Sequence, residues 1–173
     1  MDKIKKILAP TDLSDLSREG VRYALNLARA VGAEVTLYHV VNYEELLHYG
    51  LEMKEKAGSY YDFRPADSIL DTYRTALARF LQDHFSDLAP WIKIREKVEM
   101  GRAEENIVEE AKKERADLIV ISTHGRTGLS HILVGSVTEK VVRHAPCPVL
   151  SIRPKMEAGA AKEAAKLPAG LPL

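Results

Sequence analysis

The chain has 173 residues, a length typical of one domain with a substantial core. Its 25 basic and 25 acidic side chains cancel, so we expect neither nucleic acid nor a membrane surface as a partner. A single cysteine, Cys147, excludes an internal disulfide framework. No apolar run approaches the roughly 18 residues that span a bilayer, and no signal-peptide core follows the N-terminus. A cytoplasmic location is therefore expected.

The first part of the sequence predicts a strand, a helix and a second strand. A short apolar run that stops at Pro10 is typical of a buried strand. Ser14 precedes apolar residues at helical spacing, and Gly32 ends that helix. Residues 34–42 are rich in β-branched and aromatic side chains, as a strand requires.

Residues 42–67 show neither strand nor helix periodicity, and we interpret them as an insertion or long loop with some helix. Four of the seven tyrosines lie there: Tyr43, Tyr49, Tyr60 and Tyr61. They are compatible with a lid over a ligand, with a partner-facing surface, or with aromatic contacts that merely attach a long loop to the domain.

The remaining sequence predicts a helix from Ser68, a strand over 92–100, a short helix from about Ala103 and a buried strand over 117–122. Alternation of apolar and charged residues indicates that the strand over 92–100 lies at a sheet edge. A helix from about Val137 to His144 and a proline-bracketed strand over 145–154 follow. Residues 155–173 carry little apolar surface, and we expect a flexible tail.

Five strands separated by helical segments, with no hairpin-length turn, predict an α/β fold. We expect one domain over residues 1–154, built as a three-layer, doubly wound, Rossmann-like parallel sheet with strand order 3-2-1-4-5. In that order the direction of winding reverses between strands one and four. Ligands bind at such a reversal, beyond the carboxyl ends of the strands. The loops after Pro10 and after Ser122 are therefore expected to meet at a ligand site.

The segment from Ser122 to Ser136 has the composition of an anion-binding loop. Gly125, Gly128 and Gly135 allow backbone amides to converge on a phosphate, and Arg126 adds a fixed positive charge. The following helix contributes its N-terminal amides. Hydroxyl groups surround the glycines, on Ser122, Thr123, Thr127, Ser130, Ser136 and Thr138. Ser136 and Glu139 also have the spacing of a capping box, which needs no ligand, and both interpretations can hold at once.

The same segment, STHGRTGLSHILVGSVTEKVVRHAPCPVL, resembles the C-terminal signature of the universal stress protein family. KKILAPTDLSD and VTLYHVV extend the resemblance over about residues 2–154. The ATP-binding branch of that family carries glycine, two residues, glycine, nine residues, then glycine with serine or threonine. Gly125 and the pair Gly135 and Ser136 fit this pattern, whereas Ser122 replaces the first glycine. The serine either lowers affinity through its added Cβ or donates a bond from its hydroxyl.

The resemblance implies a stress-response or regulatory protein that holds ATP without rapid turnover, with Mg²⁺ or Mn²⁺ carried by the phosphates. It places Pro10, Thr11 and Asp12 against the nucleoside and the backbone of Val40 at the adenine. The other implied binding residues are Ser122, Thr123, His124, Gly125, Arg126, Thr127, Gly128, Gly135, Ser136, Val137 and Thr138. From the residues alone, Asp12 also fits a turn before the first helix, and Val40 also fits an ordinary core position.

The resemblance further implies a homodimer formed through the last strand, where Val149, Leu150 and Ile152 offer an apolar edge. Cys147, between two prolines, is interpreted as a small apolar residue rather than a nucleophile.

Several enzyme signatures do not occur. There is no lysine-containing phosphate loop and no dinucleotide fingerprint, and the six histidines lack partners at metal-ligand spacing, so neither a metal site nor a catalytic residue is assigned.

Two alternative functions stay open. One is a nucleotide-free interaction module, motivated by Ser122 and the tyrosine-rich insertion. The other is a weak ATPase or phosphoryl-transfer enzyme with His124 as base.

Overall fold

The computed structural model describes residues 3–47, 51, 65–123 and 135–154. The strands are β1 (Lys6–Pro10), β2 (Glu34–Val41), β3 (Ile94–Met100), β4 (Leu118–Ser122) and β5 (Val149–Ile152). The helices are α1 (Asp15–Val31), α2 (Pro65–Phe85), α3 (Ala103–Glu114) and α4 (Ser136–His144), with a 3₁₀ helix at Ala89–Trp91. Residues 43–47 are also helical. The predicted tail, 155–173, lies outside the described residues.

The strands form one parallel sheet in the order β3-β2-β1-β4-β5, which confirms the predicted topology. The charged strand β3 lies at one edge, as its alternation indicates, and β5 lies at the other. The register between β1 and β4 ends at Leu8↔Ile119, although both strands continue beyond this pair. The two strands therefore separate towards their carboxyl ends, at the point where the strand order reverses.

Helices cover both faces of the sheet, because right-handed crossovers lie on opposite faces on the two sides of a reversal in strand order. Helices α1 and α2 pack on one face, with a core that includes Val21, Leu25, Leu37, Tyr73, Phe85 and Val120. Helices α3 and α4 pack on the other, with a core that includes Leu8, Tyr38, Ile107, Ile121 and Val141. The result is the predicted three-layer arrangement.

The ends of the first two helices follow from local chemistry. Ser14 is the N-cap of α1, and its Oγ accepts from Ser17 N at 3.3 Å. Gly32 ends α1 with a left-handed φ of 73°, a conformation that suits glycine. Helix α2 begins at Pro65 rather than at Ser68, because proline fits the first turn of a helix. The predicted insertion over 42–67 therefore extends too far at its C-terminal end.

The tyrosines of the predicted insertion give no test of a lid. Tyr43 is exposed, and Tyr49, Tyr60 and Tyr61 lie outside the described residues. A lid in this part of the chain stays a prediction.

Candidate functional site

The loop after β1, residues 11–14, is held by its own side chains. Thr11 Oγ1 accepts from Leu13 N at 3.1 Å and lies 2.7 Å from Ser17 Oγ. Asp12 Oδ1 accepts from the backbone N and the Oγ of Ser14, at 3.1 and 2.6 Å, which confirms Asp12 as a turn-forming residue. Leu13 has a left-handed φ of 64°, and its side chain is buried. The surroundings therefore impose one conformation on this loop.

Val40 lies near the end of β2, past the point where β1 accompanies it. The β1–β2 register ends at Pro10↔Tyr38, and Thr11 N donates to Tyr38 O at 2.9 Å. Alternate residues of a parallel strand direct both backbone groups to the same neighbour, so Val40 faces the β1 side as Tyr38 does. Within the described ranges, neither backbone group of Val40 forms a hydrogen bond. The end of β2 thus presents a donor and an acceptor beside the diverging strands.

The two ends of the connection between β4 and α4 are joined by hydrogen bonds. Gly135 N donates to Thr123 O at 2.7 Å, and Thr138 Oγ1 donates to Ser122 O at 2.8 Å. A Cβ on Gly135 would lie 3.0 Å from Thr123 O, so glycine is needed here for close approach and not for an unusual φ. The intervening residues 124–134 are outside the described ranges. Binding roles for His124, Gly125, Arg126, Thr127 and Gly128 therefore stay predictions.

Among the described residues, no side chain caps the start of α4. The N-cap is Gly135, and Ser136 is the first helical residue, with its side chain exposed. The carboxylate of Glu139 pairs with Arg143 at 3.0 Å. The predicted capping box is therefore wrong, because that motif requires the serine at the N-cap position. The amides of the first turn, including that of Val137, lie at the carboxyl edge of the sheet with the positive end of the helix dipole.

Ser122 turns its hydroxyl into the protein, towards α1. Its Oγ accepts from Gly20 N at 3.1 Å and donates to Leu16 O at 3.2 Å. Gly20 makes room for it, since a Cβ at Gly20 would lie 2.6 Å from Ser122 Oγ. The serine that departs from the family pattern is therefore accommodated by α1 and does not direct its hydroxyl towards the following loop.

His39 contacts the same edge, and sequence reasoning did not select it as a site residue. Its Nδ1 lies 2.8 Å from Thr11 O. Because a carbonyl oxygen can only accept, Nδ1 is the protonated nitrogen. The imidazole stacks on the ring of Tyr73 in α2 at a centroid distance of 4.8 Å, and both residues are buried. The available signal was a histidine inside an otherwise apolar strand, LYHVV.

An ion pair ties α4 to α3. Lys140 Nζ lies 2.8 Å from Glu104 Oε1, and Arg102 Nη2 lies 3.0 Å from the same oxygen. The hydrogen bond from Lys140 lowers the pKa of the Glu104 carboxyl. The carboxylate therefore stays ionised and holds the first half of α4 against its neighbour.

Cys147 precedes β5 and therefore lies at the amino ends of the strands, away from the carboxyl edge. Burial raises the pKa of the Cys147 thiol, which suits a half-buried packing residue rather than a nucleophile. In the part of the chain that the structure describes, no group of three or more His, Cys, Asp or Glu side chains could hold a metal ion. None of the helices in those ranges is both long and apolar enough to cross a membrane.

The fold is that of a doubly wound α/β protein in which β1 and β4 separate where the strand order reverses. The sequence model of the Universal stress protein family matches residues 3–153, and the chain belongs to this family. Universal stress protein MJ0531 of Methanocaldococcus jannaschii is 37% identical over 159 residues, which cover 88% of this chain and 85% of that protein.

Solved structures are similar over nearly the same span. The structure of protein MJ0577, from the same archaeon, has a TM-score of 0.68 and 28% identity, and the match covers 90% of this chain and all of that one. A universal stress protein solved in complex with cAMP has a TM-score of 0.63 and 25% identity, with 89% of this chain and 100% of that chain covered. The predicted family and fold are thus confirmed.

Proposed function

We propose that this chain binds ATP in the cleft between the ends of β1 and β4 and holds it as a ligand or signal in a cytoplasmic stress response. The observation that carries the proposal is the pairing of two features at one edge of the sheet. Val40, one residue before the end of β2, has an available backbone donor and acceptor, and α4 begins two strands away with no cap from a described side chain.

The spacing of these features suits a nucleotide. Strands β2 and β4 flank β1, so their ends lie roughly 10 Å apart, two strand spacings. A base at Val40 and phosphates at the start of α4 would leave the ribose over the end of β1. Pro10, Thr11 and Asp12 lie there, and the Asp12 side chain is half-buried at that point. The polar order along the edge therefore matches the order of groups in a nucleotide.

If the base presents its N7 edge, the backbone pattern at Val40 favours adenine over guanine. Adenine presents an acceptor, N7, beside the N6 amino donor, whereas guanine presents two acceptors, N7 and O6. A neighbouring N–H and C=O complement the first pattern and leave a carbonyl facing a carbonyl in the second. The family member solved with cAMP, an adenine nucleotide, supports the same choice.

The start of α4 and the loop before it supply the phosphate end. Uncapped amides and a positive dipole stabilise an anion at a helix N-terminus. In this proposal Ser136, Val137 and the loop residues from Thr123 to Gly128 surround the phosphates, and Arg126 adds charge. Mg²⁺ or Mn²⁺ would be held by the phosphates themselves. No residue is assigned to hydrolysis; a sustained ATPase rate that is abolished by His124→Ala would favour an enzyme instead.

Isothermal titration with ATP, GTP and inorganic tripolyphosphate, each with Mg²⁺, tests the proposal. We expect saturable binding of ATP and at least about tenfold weaker binding of GTP, because one polar contact would be left unpaired. Gly135→Val should weaken binding of all three ligands, since its Cβ would lie 3.0 Å from Thr123 O and the base of the loop would have to shift. Gly32→Asn, at the far end of α1, is the matched control and should bind normally.

Two results would count against the proposal. Absence of heat with ATP at high protein concentration would contradict nucleotide binding. Binding that appears only after Ser122→Gly would favour the nucleotide-free interaction module. The contacts of the Ser122 hydroxyl with α1 weigh against that second outcome.

We also propose a homodimer that pairs through β5. Thr123 N donates to Ile152 O and Ile119 N donates to Pro148 O, so Leu150 also faces β4 and Ser151 directs its backbone to the outer edge. Val149, Leu150 and Ile152 are half-buried in the described chain. Ser151→Pro removes the outward N–H without removing a bond to β4 and should give a monomer in solution scattering. Ser151→Ala is the control, and a monomeric wild type would refute the dimer.

A further inference from the structure

We infer that His39 is a positioning residue for the base site. Its imidazole N–H donates to the Thr11 carbonyl oxygen and so leaves the Val40 amide available to a ligand. The inference rests on the proposed nucleotide site, and it adds a residue whose side chain lies inside the protein, not in the cleft. His39 is 1% exposed.

The geometry of a parallel ladder shows what His39 prevents. In a regular pair, the N–H and C=O of one residue bond to two residues that are two positions apart on the neighbouring strand. Thr11 N donates to Tyr38 O at 2.9 Å, so the regular partner of Thr11 O is Val40 N. Among the described residues that bond is not formed, and Thr11 O accepts from His39 Nδ1 at 2.8 Å instead.

The direction of the His39 side chain explains the break in the ladder. Tyr73 of α2 stacks on the imidazole, which places the ring on the face of the sheet that α1 and α2 cover. The Thr11 carbonyl therefore turns out of the sheet plane towards that face. The left-handed φ of Leu13, 64°, then carries the chain into α1. The His39 side chain and the start of α1 thus end the β1–β2 ladder before a bond from Val40 N to Thr11 O can form.

Removal of the imidazole donor has a predictable consequence. A buried carbonyl without a partner is costly, so Thr11 O would take the nearest donor. That donor is the N–H of Val40, which the regular ladder would place opposite it. The sheet would gain one backbone bond, and the base site would lose its donor. His39 thereby decides whether the end of β2 belongs to the sheet or to a ligand.

NMR of the nucleotide-free protein tests the exchange of partners directly. The scalar coupling across a hydrogen bond between Val40 N and the Thr11 carbonyl carbon should be absent in wild type and present in His39→Leu. His39→Asn, whose amide can donate from near the Nδ1 position, should resemble wild type. A coupling in wild type would overturn the inference, and so would its absence in a folded His39→Leu. If His39→Leu does not fold, wild type and His39→Asn decide the question.

Titration separates the base end from the phosphate end. His39→Leu should weaken ATP binding about tenfold, the effect of one lost hydrogen bond, and leave the affinity for tripolyphosphate unchanged, while His39→Asn restores ATP affinity. Equal ATP affinity in all three proteins would contradict the role of His39. Failure of wild type to bind either ligand would instead refute the proposed function, and the coupling measurement would still judge the role of His39.

Discussion

Helices α1 and α4 begin beside each other at the carboxyl edge of the sheet, and they begin in opposite ways. The first is closed by a side chain, because Ser14 Oγ accepts from Ser17 N. The second starts after Gly135, which has no side chain to offer. Both follow central strands, on the two sides of the reversal in strand order. The comparison shows that a side chain of the loop after β1 caps the helix that follows it, whereas no described side chain caps α4.

The loops after β1 and β4 also differ in where their side chains form hydrogen bonds. In the loop after β1, the hydroxyls and the carboxylate of Thr11, Asp12 and Ser14 bond within the loop and to the first turn of α1. At the base of the loop after β4, bonds to Ser122 and Thr123 bring the chain back to its starting point without capping α4. Ser14→Ala on the first side should therefore change mainly stability, and Ser136→Ala on the second should change mainly binding.

The largest effect is expected where the closed helix meets β4. Gly20→Ala places a Cβ 2.6 Å from Ser122 Oγ and 2.9 Å from Ser122 N. Overpacking of this kind should lower the free energy of unfolding by about 1–3 kcal/mol, measured by urea denaturation. Addition of Ser122→Gly removes the hydroxyl clash and should recover part of the loss. Unchanged stability in Gly20→Ala would show that α1 and β4 are not in close contact.

Ser14→Ala should remove the cap of α1. We expect a loss of about 1 kcal/mol in the free energy of unfolding, because an orphan amide of the first turn loses its acceptor. Affinity for ATP should stay within about twofold of wild type, since the hydroxyl serves the helix and not the ligand. A large loss of affinity without a loss of stability would show that Ser14 serves the ligand rather than the helix.

Ser136→Ala is the matched substitution on the other side. Its free energy of unfolding should stay within about 0.5 kcal/mol of wild type, because Ser136 is exposed and is not the N-cap. Titration should show roughly fivefold weaker ATP binding through loss of a hydroxyl donor. A stability loss equal to that of Ser14→Ala would indicate that Ser136 does cap α4, and the two helices would then begin in the same way.

The smallest effect concerns the ion pair between Lys140 and Glu104, which holds α4 against α3. The pKa of Glu104 is lowered by the hydrogen bond from Lys140. A lowered folded pKa contributes stability above the unfolded value of 4.5, and this contribution is lost as pH falls through the folded pKa. Because Lys140 is 50% exposed, the contribution should be only about 0.5 kcal/mol. The difference between wild type and Glu104→Gln in urea denaturation should therefore be present at neutral pH and shrink as the pH falls below 4.5.

Signals with a short range in sequence predicted most of the architecture. The edge position of β3, the Ser14 cap and the Gly32 terminus all rest on periodicity or on residues within one helical turn. The capping box at Ser136 failed although its spacing was right. Spacing does not say which residue begins the helix, and the bond from Gly135 N to Thr123 O makes Gly135 the N-cap.

By itself the sequence determined the succession of buried strands and amphipathic helices, and hence a parallel α/β fold, because apolar periodicity and connections too long for hairpins require it. The strand order that we expected is the one that the sheet shows. The tertiary structure alone decided that Ser122 faces Gly20 and that His39 holds the Thr11 carbonyl. Those partners are 102 and 28 positions apart in the sequence. A hydrogen bond depends on positions and directions in space to within a few tenths of an ångström, which no local pattern of residue types encodes.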